Sequence, residues 1–242
     1  MEVHHHPEVE KKGFKEYLLE GLMIFLAVLM GFIAENIREN ISEHKRAAEF
    51  AHLYYGDIKK DTAQLQAAMR FNRHKIAAID SVIPLMHQPE SAYSDTILML
   101  KGRVSSIVLP FQPSSGNYEQ LKSSGAIKEF KPKMVALMNE YDLQVKQVVR
   151  REDISQQFIT QQLMPFIIDH GNMENSYDIM TTGKIQHGSY MGWTPEFKKK
   201  YLNMIVFIKI LSVRSMQEYE HLLLESNKVL KELKKEYDIE ED

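Results

Sequence analysis

The sequence predicts an all-α protein in which an N-terminal transmembrane helix runs without a break into a long helical stalk, followed by a helical bundle. Three observations carry this. Residues Gly21 to Ala34 are an unbroken apolar run, and Leu18 and Leu19 lengthen it across a single charge, Glu20. From Ile37 onward apolar residues recur at spacings of three and four, the mark of one helix face. The 11 glycines and 8 prolines gather in a few places instead of recurring every ten residues, which suits long helices better than a sandwich or barrel.

Residues 1–16 are a tail rich in histidine and lysine, with His4, His5 and His6 followed by Lys11, Lys12 and Lys15. Adjacent imidazoles on a tail bind divalent metal loosely, and no second shell is visible in the sequence, so the histidines read as a solvated, pH-sensitive segment. The span occupies residues 17–36; its apolar run from Leu18 to Ala34, 17 positions interrupted only by Glu20, sits at the short edge of the roughly 17–25 residues that cross a hydrocarbon core. A cleavable signal peptide would end its apolar region in a small-residue site. Here the run continues as Glu35-Asn36-Ile37-Arg38. A buried core helix would keep a polar face, and this stretch has none. Lysines lie close to its N-terminal side, while Arg38, Lys45 and Arg46 lie further along on the other. This places the N-terminus in the cytoplasm and residues 37–242 in the periplasm, across an inner membrane.

One series of the stalk reads Ile37, His44, Ala51, Ile58, Leu65, Asn72, Ile79. A second, four residues on, reads Ile41, Ala48, Tyr55, Thr62, Met69, Ile76, Ile83. Pro84 and Pro89 stop the helix. Extended backward, the second series passes through Ala34, Ala27 and Glu20. Ala27, Ala34, Ile41, Ile58, Leu65 and Ile76 are therefore the expected helix-interface residues, either within the chain's own bundle or in an intermolecular coiled coil. Glu20 becomes a candidate intramembrane functional residue, since an ionisable group in a span usually faces protein or a cavity. The competing reading has Glu20 reaching the headgroups near Lys12 or Lys15.

A short helix is expected over Ser94–Val108, then a loop through Leu109-Pro-Phe-Gln-Pro-Ser-Ser-Gly116. Asn117 is the expected N-cap of a brief helix that Gly125 ends. Pro132 opens a third helix over Lys133–Leu163, striped by Leu137, Tyr141, Val145, Val148 and Val149, with Pro165 near its end. The stretch near 169–193 holds Gly171, Gly183, Gly188 and Gly192 and is expected to be a long loop. Thr194-Pro195-Glu196 is a strong helix start. The last helix runs to about Tyr237, with heptads at Met216, Leu223, Leu230, Tyr237 and at Tyr219, Ser226, Leu233.

The first 40 residues resemble a family of small single-pass bacterial membrane proteins of unknown function. The resemblance rests on His4-His5-His6, Lys11-Lys12, Lys15-Glu16-Tyr17, Leu22 to Val28, Gly31-Phe32 and Ala34-Glu35. Tyr118-Glu119-Gln120-Leu121-Lys122-Ser123-Ser124-Gly125 is similar to a second recurring element of that family. The resemblance implies that the histidines are native and that the apolar run is a membrane span. It implies no activity.

With 30 basic and 33 acidic side chains the chain has a net charge of -3, which leaves no basic footprint for nucleic acid. Zero cysteines exclude disulfides and thiolate metal sites. Glu49-x-x-His52 and Glu218-x-x-His221, with Glu140 and Glu152, have the residue types of a di-iron bundle. However, the paired residues fall beside or opposite the apolar seam, so no metal, cofactor or catalytic residue is assigned. No phosphate-cradling glycine loop or nucleophile elbow is present. The expected function is therefore non-enzymatic: a scaffold, sensor-like or accessory subunit held in the lipid bilayer, acting through self-association or another membrane protein. The alternative is a homo-oligomeric channel or ion-coupled component with Glu20 at the helix interface.

Overall fold

A computed structural model describes residues 13–89, 95–186 and 192–240. The chain is all-α. Its helices are α1 (Phe14–Met86), α2 (Asp95–Arg103), α3 (Gly116–Ser123), α4 (Pro132–Phe158), α5 (Met164–His170), α6 (Met173–Thr182) and α7 (Pro195–Tyr237). The tail histidines His4, His5 and His6 lie outside the described residues. Two compact units divide at Glu49–Phe50, inside α1.

The first unit is helical throughout its described part. Its stretch of α1, Phe14–Glu49, would measure about 54 Å at 1.5 Å per residue. Every residue from Gly13 to Ser42 is exposed in the isolated chain, including Leu22, Met23, Ile24, Phe25 and Leu26. The helix is long and apolar enough to cross a membrane, and none of its most apolar window is buried. Arg38 closes this segment with a two-point contact to Glu35 one turn earlier.

The second unit is a bundle of three long helices. Asp61 of α1 meets Tyr141 of α4, and Asn72 of α1 meets Tyr219 of α7. Lys133 of α4 bonds Glu232 of α7, while the Phe158 ring at the other end of α4 lies tilted against Phe207 with centroids 4.6 Å apart. Thus α1 and α4 run parallel and α7 runs antiparallel to both. The parallel pair needs a long crossover, which α2, the proline-containing loop and α3 supply. At one end Ile79, Val82, Leu98, Leu163, Phe166 and Ile205 form a continuous apolar cluster. Burial of such side chains, at about 25 cal/mol per Å² of apolar surface, is what holds α2 and α5 onto the long helices.

Several local expectations meet the structure directly. Thr194 Oγ1 accepts from the Phe197 amide at 3.2 Å and Pro195 takes the first turn, so α7 starts where its sequence signal lies. Pro132 opens α4 in the same way. Pro84 falls in the last turn of α1, which ends at Met86.

Other expectations are corrected. The segment near 169–193 is not one loop: α5 runs to His170, and α6 occupies Met173–Thr182. Asn172 caps α6 by accepting from the Asn175 amide at 3.2 Å. Gly183 ends it with φ of 73°, a left-handed conformation that glycine adopts without a Cβ penalty. The glycines read as evidence against a helix are partly its punctuation. Asn117 is not a cap, because α3 begins at Gly116 with Ser115 before it. Pro165 does not end the third helix either. A π-helical turn over Ile159–Leu163 precedes it and the chain continues helically to His170. A widened turn there offsets the amide that proline lacks and the carbonyl its ring would strike.

The heptad on α1 is half right. Ala51, Ile58, Leu65, Asn72 and Ile79 are buried as expected, while Ile37 and His44 are exposed. Of the companion series four residues on only Tyr55 and Met69 are buried, and a series three residues on, Tyr54, Asp61, Ala68, Lys75 and Val82, is buried throughout. Helix α7 shows a similar slip. Tyr219, Ser226 and Leu233 are buried together with Ser215, Leu222 and Val229; of the other expected series Met216 is buried, while Leu223, Leu230 and Tyr237 are half-buried.

Candidate functional site

Residues Asp57, Asp61 and Gln64 are spaced four and three apart and so share one face of α1. That face meets the loop Leu109–Ser115. Pro110 and Pro113 have no amide hydrogen, and three of the amides between and beyond them each find a side chain. The Phe111 amide donates to Glu152 Oε2 at 2.9 Å, the Gln112 amide to Gln64 Oε1 at 3.2 Å, and the Ser114 amide to Asp61 Oδ1 at 2.8 Å. Asn117 Nδ2 then donates to Asp57 Oδ2 at 2.7 Å. A loop that crosses a bundle must satisfy its backbone groups, and here carboxylates and an amide on α1 and α4 do so.

Behind the loop lies a buried polar centre. Tyr141 donates to Asp61 Oδ2 at 2.7 Å, and Tyr219 donates to Glu152 Oε1. Asn72 Nδ2 reaches the Tyr219 oxygen at 3.4 Å. Lys75, only 3% exposed, lies in the same core with its ammonium 5.3 Å from the Phe71 ring centroid. Burial pushes Lys75 down to about 8, with the Glu152 charge opposing the shift. Burial also raises Glu152 and Asp61 above the usual carboxylate range, against the pull of the phenol and amide donors on each. Tyr141 and Tyr219 are held protonated far above a free phenol, by burial first and by their carboxylate partners second.

Asn72, Lys75, Glu152, Ser212, Ser215 and Tyr219 line a cavity of about 10 Å³ at this centre. That is the room one water needs, with polar partners to hold it, and it admits no organic substrate. The arrangement clamps the loop, with Glu152 accepting from both the Phe111 amide and the Tyr219 phenol. Periodicity missed Asp57, Asp61, Lys75 and Glu152 because it assigns charged residues outward. The available signal was a charged residue on an otherwise apolar stripe, as Glu152 is after Met134, Met138, Tyr141, Val145 and Val148.

The residues expected at an interface do not form one surface. Ile58 and Leu65 are fully buried within the chain's own bundle, so they offer nothing to another molecule. Ile76 is half-buried beside the core stripe, and Ala27, Ala34 and Ile41 are exposed on the apolar part of α1. Glu20 is exposed on that same segment. The four residues of the two Glu-x-x-His pairs are not brought together with Glu140 and Glu152. Glu49, His52 and Glu140 are exposed, Glu218 accepts from Gln144 at 3.0 Å, and Glu152 is occupied as above. Among the described residues no group of three or more His, Asp or Glu is placed to hold a metal ion.

Comparison with protein-family models, with curated proteins and with solved structures finds no match for this chain.

Proposed function

We propose that this chain is a single-pass inner-membrane protein that works by association, as a scaffold, sensor-like or accessory subunit binding its own copies or another membrane protein. The observation that carries this reading is the exposed apolar surface of α1 from Gly21 to Ala34. So large an unbroken apolar surface must be covered by lipid or by protein. The lysines before the span favour a cytoplasmic N-terminus and a periplasmic bundle. The bundle supports a non-enzymatic role through its polar centre, whose carboxylates are engaged in holding a loop. The test is the mass of the complex solubilised in mild detergent, with its co-purifying proteins identified. A mass above one chain, or a stoichiometric membrane partner, is the expected result. A partnerless monomer at all concentrations overturns it.

A second reading is an ion-coupled homo-oligomer with Glu20 at the helix interface. It is favoured by the exposed series Glu20, Ala27, Ala34, whose small residues allow close helix approach. Proton or sodium flux in reconstituted liposomes that Glu20→Gln abolishes is its expected result. Absent or unaltered flux removes it.

A further inference from the structure

We propose that the groove between α1 and α7 beside Tyr55 binds a small soluble polyanion of the phosphate class. Tyr55, Lys59, Ala63 and Gln66 lie on one face of α1; Asn227, Leu230, Lys231 and Lys234 lie on one face of α7. Together they line a groove of about 520 Å³. That volume is in the range of about 300–1,000 Å³ typical of small-molecule sites. Its floor is apolar, from Tyr55, Ala63 and Leu230, and the short side chains of Ala63 and Asn227 open it.

Charge decides the class of ligand. Lys59 and Lys231 bring positive charge to the groove, Lys234 lines it while engaged in an interaction of its own, and no carboxylate is among the described lining residues. This is a local choice, since acids outnumber bases in the whole chain. Two lysines elsewhere on α7 are matched: Lys228 bonds Glu225 at 2.7 Å, and Lys209 bonds Asp80. By contrast, neither Lys59 nor Lys231 has an ion pair with a described acid. The Lys59 ammonium sits 5.7 Å from the Tyr55 ring centroid, beside the groove. Like charges gathered in a concave site focus a positive potential that a multivalent anion relieves. Lysines supply point-charge phosphate contacts, and the Gln66 and Asn227 side-chain amides supply neutral N–H donors that orient the ligand. The concavity favours a free molecule over the surface of a bilayer.

The test is calorimetric titration of the full chain in non-ionic detergent with inorganic pyrophosphate and, separately, with inorganic phosphate. We expect saturable binding of pyrophosphate at one site per chain, weakening steeply as salt rises from on the order of 50 mM. Phosphate should bind about tenfold more weakly, and Lys59→Gln or Lys231→Gln should each cost about tenfold. Lys60→Gln, next to the groove but outside it, should leave the affinity unchanged. Repeating the titration in phosphatidylglycerol and phosphatidylcholine nanodiscs separates a soluble ligand from a headgroup. No saturable binding below about 1 mM pyrophosphate overturns the site. Equal loss in Lys60→Gln does the same. Binding that phosphatidylglycerol alone abolishes, with the same dependence on Lys59 and Lys231, overturns the soluble ligand in favour of a lipid.

Discussion

Tyr219 of α7 donates its phenolic hydrogen to Glu152 of α4, whose other carboxylate oxygen accepts from the backbone of Phe111. One buried carboxylate thereby joins two long helices and the crossover loop. Removing the acceptor leaves both donors buried and unmatched. Glu152→Ala should therefore cost about 3 kcal/mol or more, and Tyr219→Phe about 1–2 kcal/mol. Urea unfolding of the detergent-solubilised chain, followed by the fluorescence of Trp193, measures both. Equal effects would show that the carboxylate does not hold the loop.

Asp61 gives a second, local test. It accepts from Ser114 and Tyr141 together, so Asp61→Leu should release the loop while the helices persist. Amide exchange at Ser114 should quicken by about tenfold or more, because its protection rests on that carboxylate. Unchanged exchange at Ser114 would mean that the prolines alone order the loop.

The pH dependence of stability has a definite sign. The folded chain binds the Lys75 proton less tightly than the unfolded chain, its value having fallen from 10.5 to about 8. Between those limits the unfolded state holds more protons, so this group's contribution makes stability rise with pH from about 8 toward 10. Above pH 10 the buried phenols reverse the trend. Tyr141 and Tyr219 keep their protons when folded and lose them when unfolded, so stability falls. Lys75→Met should abolish the rise and leave the fall. Chemical denaturation at stepped pH distinguishes the two limbs.

Gly102 is fixed by a close neighbour. A Cβ added there would overlap the Tyr201 hydroxyl. Gly102→Ala should lower stability by about 1–3 kcal/mol, as overpacking does, and the added substitution Tyr201→Phe should recover most of it. Thermal unfolding of the two single variants and the double variant gives the coupling. Simple additivity would refute the contact.

The span can be tested without knowing a partner. An arginine at Leu26, midway along the apolar run, raises the insertion cost by about 3 kcal/mol. Leu26→Arg should shift the protein from the carbonate-resistant membrane fraction to the soluble or aggregated one. Full retention would argue against Gly21–Ala34 as the spanning segment.

How far the chain could be read from its residues depends on where each signal originates. Thr194-Pro195, Pro132 and Pro84 act on their own turn of backbone, and the helices begin or end within two residues of them. The companion heptad series slipped because Leu223 and Leu230 sit beside Leu222 and Val229, giving a stripe too wide to fix its centre. On α1 the true seam contains Asp61 and Lys75, which hydropathy turns outward. Helix α6 was lost because a ten-residue segment between glycines has too short a period to detect.

That the chain is helical, that its N-terminal helix is long and apolar enough to cross a membrane, and where α4 and α7 start all follow from residues a few positions apart. The inward-facing carboxylates of Asp61 and Glu152 do not: they depend on how the helices pack. Burying a charge is costly unless it is matched, and the matching groups are distant in sequence. Asp61 meets its partners 53 and 80 residues along the chain, and Glu152 meets Phe111 and Tyr219 at separations of 41 and 67. Once the bundle brings those donors together, the charged residues become core residues.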